Sequence, residues 1–226
     1  MKTILDTDLI LNPDGSIYHL NLLPEDVAKT VITVGDPDRV AVISNYFDSI
    51  ELKKGKREFI THTGYLGKKR ITVISTGIGT DNIDIVLNEL DALVNIDFTL
   101  RETKPQLISL DIIRIGTSGA IQPDIEVGSI VISEYALGLD TLMQYYVHDL
   151  DGNERDLQDA AHSYFHHLKG LNPYVTSADK VLLQRFERDL VKGITVTSPG
   201  FYAPQGREIR IRTTIPDFIE LLSNFR

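Results

Sequence analysis

The chain has 226 residues, 42% hydrophobic and 24% charged, enough to bury a sizeable core and near the upper size of one domain. Its 23 basic against 32 acidic residues leave a net charge of −9, which argues against a general nucleic-acid or membrane-surface partner, because either would call for a basic face. With no cysteine there is no disulfide framework, no thiolate nucleophile and no cysteine–zinc site.

The amino-terminal stretch Met1 to Asp8 meets an aspartate before any apolar run of signal-peptide length. No later run approaches the roughly 18 apolar residues of a membrane span, so a soluble cytoplasmic protein is expected. Val31 to Val34 reads as a strand that Gly35 breaks. Asp36-Pro37 then supplies an N-cap with proline at the first helical position, opening a helix from Arg39 to Phe47. Lys53-Lys54-Gly55-Lys56-Arg57 reads as a solvated charge run. Phe59 to Thr63 and Ile71 to Ile74 are expected to form a hairpin with its turn in Gly64 to Lys69. Ser75-Thr76-Gly77-Ile78-Gly79 is a glycine-rich turn before a helix from about Thr80 to Leu93, with Ile83, Val86, Leu87 and Leu90 on one face. That turn lacks the dinucleotide-binding spacing and reads as a close strand–helix approach.

Asn95 to Gln106 is polar, contains Pro105, and is expected to be an inserted loop before a buried strand at Ile112 to Ile115. A turn at Ile121 to Val127 and a strand at Ile130 to Ile132 follow. Asp149 to Asp159 reads as a flexible lid or surface excursion, with helices at Ala160 to Leu168 and Ser177 to Asp189 and a last strand at Gly193 to Thr197. Strands alternating with helices imply one α/β domain built on a largely parallel or mixed sheet, with its ligand crevice at the strand ends.

Two stretches concentrate the chemistry. Gly35-Asp36-Pro37-Asp38-Arg39 and Arg114-Ile115-Gly116-Thr117-Ser118-Gly119 each set an arginine near glycine at the end of an apolar run. Backbone N–H groups and a guanidinium can converge there on a phosphate-sized anion, and for the first stretch a helix N-terminus adds its dipole. In Phe201-Tyr202-Ala203-Pro204-Gln205-Gly206-Arg207, an amide and a guanidinium can read the edge of a planar heterocycle beside an aromatic ring. His162, His166 and His167 have helical spacing but no further ligand nearby, and read as a solvated face. Asp149 to Glu154 lacks the full spacing of a calcium loop. No metal site is expected.

These stretches, with Tyr18-His19-Leu20, Arg57-Glu58-Phe59 and Ser75 to Gly79, occur in the order found in the purine nucleoside phosphorylase and uridine phosphorylase family. The chain resembles that family from about His19 to Arg207, on its uridine phosphorylase side. The resemblance implies a single-domain, three-layer nucleoside phosphorylase-like α/β fold over 1–226, with a central mixed sheet flanked by helices. It implies that Gly35, Arg39, Arg114 and Thr117 hold phosphate, with Arg57 reaching in from a neighbouring subunit. It places His19, again from the neighbour, on the ribose 5′-hydroxyl, and Phe201, Gln205 and Arg207 on uracil. Phosphate is then a co-substrate, no cofactor is expected, and the protein is a homo-oligomer with the dimer as its minimal unit and a hexamer as the larger possibility.

The residue types suit phosphorolysis, in which phosphate attacks C1′ of a cationic sugar while the base leaves as an anion. Charge-assisted hydrogen bonds of about 1.5–3 kcal/mol each would position the nucleophile. Arg114, Thr117, Gln205 and Arg207 are the expected catalytic residues. Taken alone, Arg57 reads as part of its charge run, His19 as a surface or hydrogen-bonded histidine and Phe201 as core. The family's Glu-Met-Glu segment, which grips the ribose hydroxyls, does not occur before Phe225-Arg226, so the sequence is expected to be a fragment of a longer product. A purine nucleoside phosphorylase, a hydrolytic nucleosidase and a nucleoside- or phosphate-binding protein without turnover remain the alternatives.

Overall fold

The computed structural model describes residues 3–186 and 190–225. They fall into two compact units, 1–117 and 118–226. In the first, β1 (Thr30–Val34) pairs in parallel with both β4 (Lys69–Ser75) and β7 (Asp111–Arg114). β2 (Ser49–Lys56) and β3 (Phe59–Leu66) extend the sheet antiparallel, giving the order β2-β3-β4-β1-β7. The sheet is therefore mixed. Val31 and Val34 are fully buried, as a central strand with both neighbours in place requires.

Helix α1 (Asp38–Ser44) takes Pro37 as its N-cap rather than as its first residue and ends earlier than expected, with turns carrying the chain on to Phe47. The Asp36 carboxylate accepts from the Asp38 N–H at 3.0 Å just ahead of that cap. Helix α2 (Thr80–Asn95) packs Val86, Leu90 and Leu93 inward against a core with Phe59, Ile74, Leu20 and Leu22. Leu87, expected on that face, is exposed: the buried stripe runs through 86, 90 and 93, and 87 is one residue out of phase.

Strand pairing gives two stretches of this unit a definite shape. The Lys53–Arg57 charge run is the end of β2 and its turn, exposed at Lys53, Gly55 and Arg57 as a solvated face is, with backbone partners supplied by the antiparallel pairing of Lys53 with His62 and Lys56 with Phe59. The hairpin turn expected over Gly64 to Lys69 is likewise tighter, since Leu66 pairs with Lys69 and leaves only Gly67-Lys68 between the strands. The Asn95 to Gln106 loop is also more ordered than expected. It folds as a small hairpin of β5 (Ile96–Asp97) and β6 (Glu102–Thr103), from which Arg101 donates to the main-chain carbonyls of Ile4, Leu5 and Leu9.

In the second unit, β8 (Val131–Gly138) pairs in parallel with β10 (Val191–Thr197) and antiparallel with β9 (Tyr174–Ser177). A core of Leu137, Leu139, Phe165, Val175 and Phe218 gathers around it. Gly138 is required here by contact: a Cβ would fall 2.0 Å from the Tyr174 ring. That ring carries its hydroxyl to the buried Asp140, and burial, followed by that hydrogen bond, pushes the phenol up from its usual range.

The supposed lid at Asp149 to Asp159 is instead the start of helix α3 (Gly152–Phe165). The signal was an overlooked capping box: Asp151 accepts from the Glu154 N–H, and Glu154 accepts from the Asp151 N–H, each at 2.8 Å. Glu154 also takes the Ser177 N–H and hydroxyl. Hydrogen bonds from the Asp151 and then the Ser177 backbone hold its carboxyl below the usual range. The helix expected over Ser177 to Asp189 is α4 (Lys180–Phe186), with Ser177 closing β9. Glu187, Arg188 and Asp189 of that expectation, like Met1, Lys2 and Arg226, lie outside the described residues. A further helix, α5 (Phe218–Asn224), buries Phe218 and Leu222. No helix among the described residues is long and apolar enough to cross a membrane.

Asp151→Ala should cost about 1 kcal/mol of stability, the usual value of an N-cap, and urea unfolding would measure it. His62 gives a pH-dependent counterpart. It is buried, bonded through Nδ1 to the Ser44 hydroxyl at 2.7 Å, and its imidazole is held below the ordinary 6.5 first by burial and then by Lys53. The unfolded chain therefore takes up this proton at a pH where the folded chain does not. Its contribution is complete above about pH 6.5 and is lost as the pH falls below that value. His62→Gln should flatten the decline in urea midpoint between pH 7.5 and 5.5 relative to the parent.

Candidate functional site

The anion-binding candidates sit where the parallel strands end. Thr33 on β1 pairs with Arg114 on β7, and Val34 pairs with Ser75 on β4, so Gly35, Thr76 and Ile115 all leave the same edge of the sheet. The exits are tied together: the Thr76 N–H donates to Val34 O at 2.7 Å and the Ile115 N–H to Thr33 O at 2.9 Å. Gly35 thus lies between the two segments that flank it. Its nearest neighbour in the direction of a missing Cβ is the Gly77 carbonyl at 3.5 Å, an ordinary contact, and its φ is not positive. Neither packing nor backbone demands glycine there. An approach by a ligand to the bare backbone is the remaining use.

Arg39 is half-buried on the first turn of α1. Arg114 is exposed and folds back so that its guanidinium lies 3.5 Å from where a Gly116 side chain would begin. Thr117 is exposed at the end of this unit. Arg57 stands at the two-residue turn between β2 and β3 with φ 56°, a left-handed conformation that asparagine or glycine adopts at less cost. Lys54, Arg70, Arg101 and Lys180 each pair with a carboxylate. By contrast, Arg39, Arg57 and Arg114 make no ion pair among the described residues. Two of these, Arg39 and Arg114, belong to the two strand-end motifs, and Arg57 lies outside them.

His19 is in the same unit and has a partner that sequence reasoning missed. Its Nδ1 lies 2.6 Å from Glu89 Oε1, and the N–H groups of His19 and Leu20 donate to the same carboxylate at 3.1 and 2.8 Å. A signal was available: Glu89 falls three and four residues from Val86 and Ile85 and four from Leu93, so a carboxylate interrupts the packed stripe of α2. Lys56 was missed as well. It donates to the Tyr18 carbonyl and to Asn12 Oδ1 at 3.0 Å while lying 4.0 Å over the Tyr18 ring. His19 and Arg57, separated by 38 positions, are thereby attached to each other through adjacent residues.

The base-reading candidates are all in the second unit, on one loop around the short 3₁₀ turn Ala203–Gln205. The structure brings them together. The Arg207 guanidinium carbon lies 4.1 Å over the Phe201 ring, and Nη1 donates to the Phe201 carbonyl at 2.8 Å and to Gln205 Oε1. Gln205 Nε2 donates to Gly200 O at 3.1 Å. Phe201 is 60% exposed, so it is not a core residue. The loop therefore presents an aromatic face, an amide and a guanidinium side by side. Among the described residues, no group of three or more histidine and acidic side chains stands close enough to hold a metal ion. His166 instead bonds its own helix at Ser163 O, 2.6 Å away.

Residues 29–220 match the model of the Phosphorylase superfamily. The chain is 37% identical over 134 residues to a uridine phosphorylase of Thermococcus kodakarensis, an alignment covering 59% of this chain and 43% of that protein. To a uridine phosphorylase of Haemophilus influenzae it is 32% identical over 201 residues, covering 85% of this chain and 66% of that protein. It thus spans between about two fifths and two thirds of the length of these relatives. A solved Trypanosoma brucei nucleoside phosphorylase, described as showing uridine phosphorylase activity, superposes with a TM-score of 0.86 at 28% identity, over 96% of this chain and 78% of that one. The mixed sheet flanked by helices is accordingly the nucleoside phosphorylase fold, and the chain belongs to the Phosphorylase superfamily.

Proposed function

We propose that the protein is a uridine phosphorylase, acting in pyrimidine salvage: uridine and phosphate give uracil and ribose 1-phosphate, reversibly. The observation that carries this reading is the set of three acid-free arginines in an acidic chain, two of them at the strand-end motifs flanking an otherwise unexplained glycine. A hydrolase has no use for such a site. Gly35, Arg39, Arg114 and Thr117 hold the phosphate nucleophile in place, and the Arg57 turn, strained without evident structural return, completes the site of a neighbouring subunit. His19, tethered to the same turn through Lys56, meets the ribose 5′-hydroxyl there.

Uracil presents two carbonyls flanking an N–H. Gln205 and Arg207 satisfy that edge and stabilise the charge that develops on the leaving base, with Phe201 against its face. The bond they now share would open to admit it. No cofactor is needed, because phosphate is itself the second substrate and the arginines neutralise it.

Uracil release from uridine should depend on phosphate, and inosine should be a poor substrate. Faster cleavage of inosine would replace this reading with a purine phosphorylase, and phosphate-independent release with a nucleosidase. Arg114→Ala should raise the KM for phosphate and lower kcat/KM by about 10²-fold, equivalent to roughly 2.7 kcal/mol. An unchanged phosphate dependence would remove Arg114 from the anion site.

The shared-site arrangement has its own test. Arg57→Ala and Arg114→Ala chains, each inactive alone, should recover part of the activity on mixing, since a hybrid dimer contains one site with both arginines. A protein that remains monomeric by light scattering at assay concentration would rule out donation of Arg57 and His19.

A further inference from the structure

The carboxylate beneath His19 does more than anchor a loop. Glu89 receives the His19 N–H, the Leu20 N–H and the imidazole Nδ1, at 3.1, 2.8 and 2.6 Å. An ionised carboxylate only accepts, and with two backbone donors already upon it, the Nδ1 position must also bring a proton. In the neutral ring the hydrogen is then on the inner nitrogen. Nε2, which has no hydrogen-bond partner among the described residues, is left with a lone pair. The ring cannot readily turn over, because the Tyr18 ring stands edge-on to it at 4.8 Å and Lys56 holds Tyr18 by both its carbonyl and its ring face.

We propose that Glu89 is a positioning residue that holds His19 as the Nδ1–H tautomer, so that Nε2 is a bare acceptor selecting a nucleoside with a hydroxyl donor at its 5′ position. The specificity follows from the lone pair. A 5′-hydroxyl donates to it, whereas a 5′-deoxy carbon or a 5′-thioether has nothing to donate, and a 5′-phosphate meets a lone pair backed by a carboxylate. This rests on the reading of His19 given above.

Long-range ¹H–¹⁵N correlation on the uniformly ¹⁵N-labelled full chain at pH 8, with His19 assigned by its loss in His19→Gln, reads the tautomer without any turnover. A protonated Nδ1 and a bare Nε2 are expected. Glu89→Gln keeps its amide oxygen for the backbone donors and turns its NH₂ toward Nδ1, which should shift the population toward Nε2–H. In the parent, kcat/KM for uridine should exceed that for 5′-O-methyluridine, whose ether oxygen only accepts, by about tenfold, and Glu89→Gln should bring the two within about threefold through a gain on the ether.

An Nε2–H or doubly protonated ring in the parent would overturn the proposal, and this result is available even if Glu89→Gln fails to fold. An unaltered substrate ratio in a folded Glu89→Gln protein whose tautomer has changed would overturn it as well. A parent that releases no uracil with phosphate, yet loses the Nδ1–H tautomer in Glu89→Gln, would support the Glu89–His19 arrangement and overturn the uridine reading alone.

Discussion

The parallel pairing of β1 with β4 on one side and β7 on the other is the constraint from which the anion half of the site follows. Parallel register sets the height at which each strand ends, and here Val34 stands opposite Ser75 and Thr33 opposite Arg114. The three chains must therefore turn away at one edge, where their last N–H and C=O groups have lost their ladder partners. Two of those exits are stitched by Thr76 and Ile115 onto β1. The motifs 35–39 and 114–117 are consequently neighbours in space although about 75 residues separate Arg39 from Arg114 in the sequence. A slip of one residue in the β1–β7 pairing would carry Arg114 to the opposite face of the sheet.

Electrostatics complements this geometry. Arg70, Lys54 and Arg101 are occupied with nearby carboxylates or carbonyls. A guanidinium without a partner retains its full capacity for bidentate contact with an oxyanion. The 201–207 loop is arranged differently: Gln205 and Arg207 are engaged with each other and with main-chain carbonyls. The loop is thus preshaped by weak internal bonds that a ligand edge of the same polarity can replace.

How far the sequence could be read differed by the range of the interaction concerned. β1, β7, the β3–β4 hairpin and the existence of α2 were legible because each is announced by its own periodicity. The candidate motifs at 35–39, 114–119 and 201–207 stood out because the residues that compose each are local to five to seven positions. What was hidden depended on partners elsewhere. The strand through Lys53–Lys56 is hidden until β3 is known to lie beside it, and β9 is invisible without β8. The capping box at Asp151 and Glu154 was in plain view but was masked by an Asp-Gly pair that also reads as a turn. Glu89 was hidden for the reason that makes it useful, since its three donors come from residues about 70 positions away.

The fastening of the amino-terminal segment has a consequence for inheritance. Arg101 grips the carbonyls of Ile4, Leu5 and Leu9, and Glu89 with Lys56 grips Tyr18 to Leu20, so the segment bearing His19 is riveted at both ends to its own subunit. If that histidine is lent across an interface, a lesion in either rivet spares the phosphate residues of the subunit that carries it and cripples the one next door. In a cell expressing both alleles, damage at Arg101 or Glu89 would then spread to wild-type chains through mixed assemblies, a dominant effect, while a lesion in Gln205 or Arg207 would stay confined to the site it occupies.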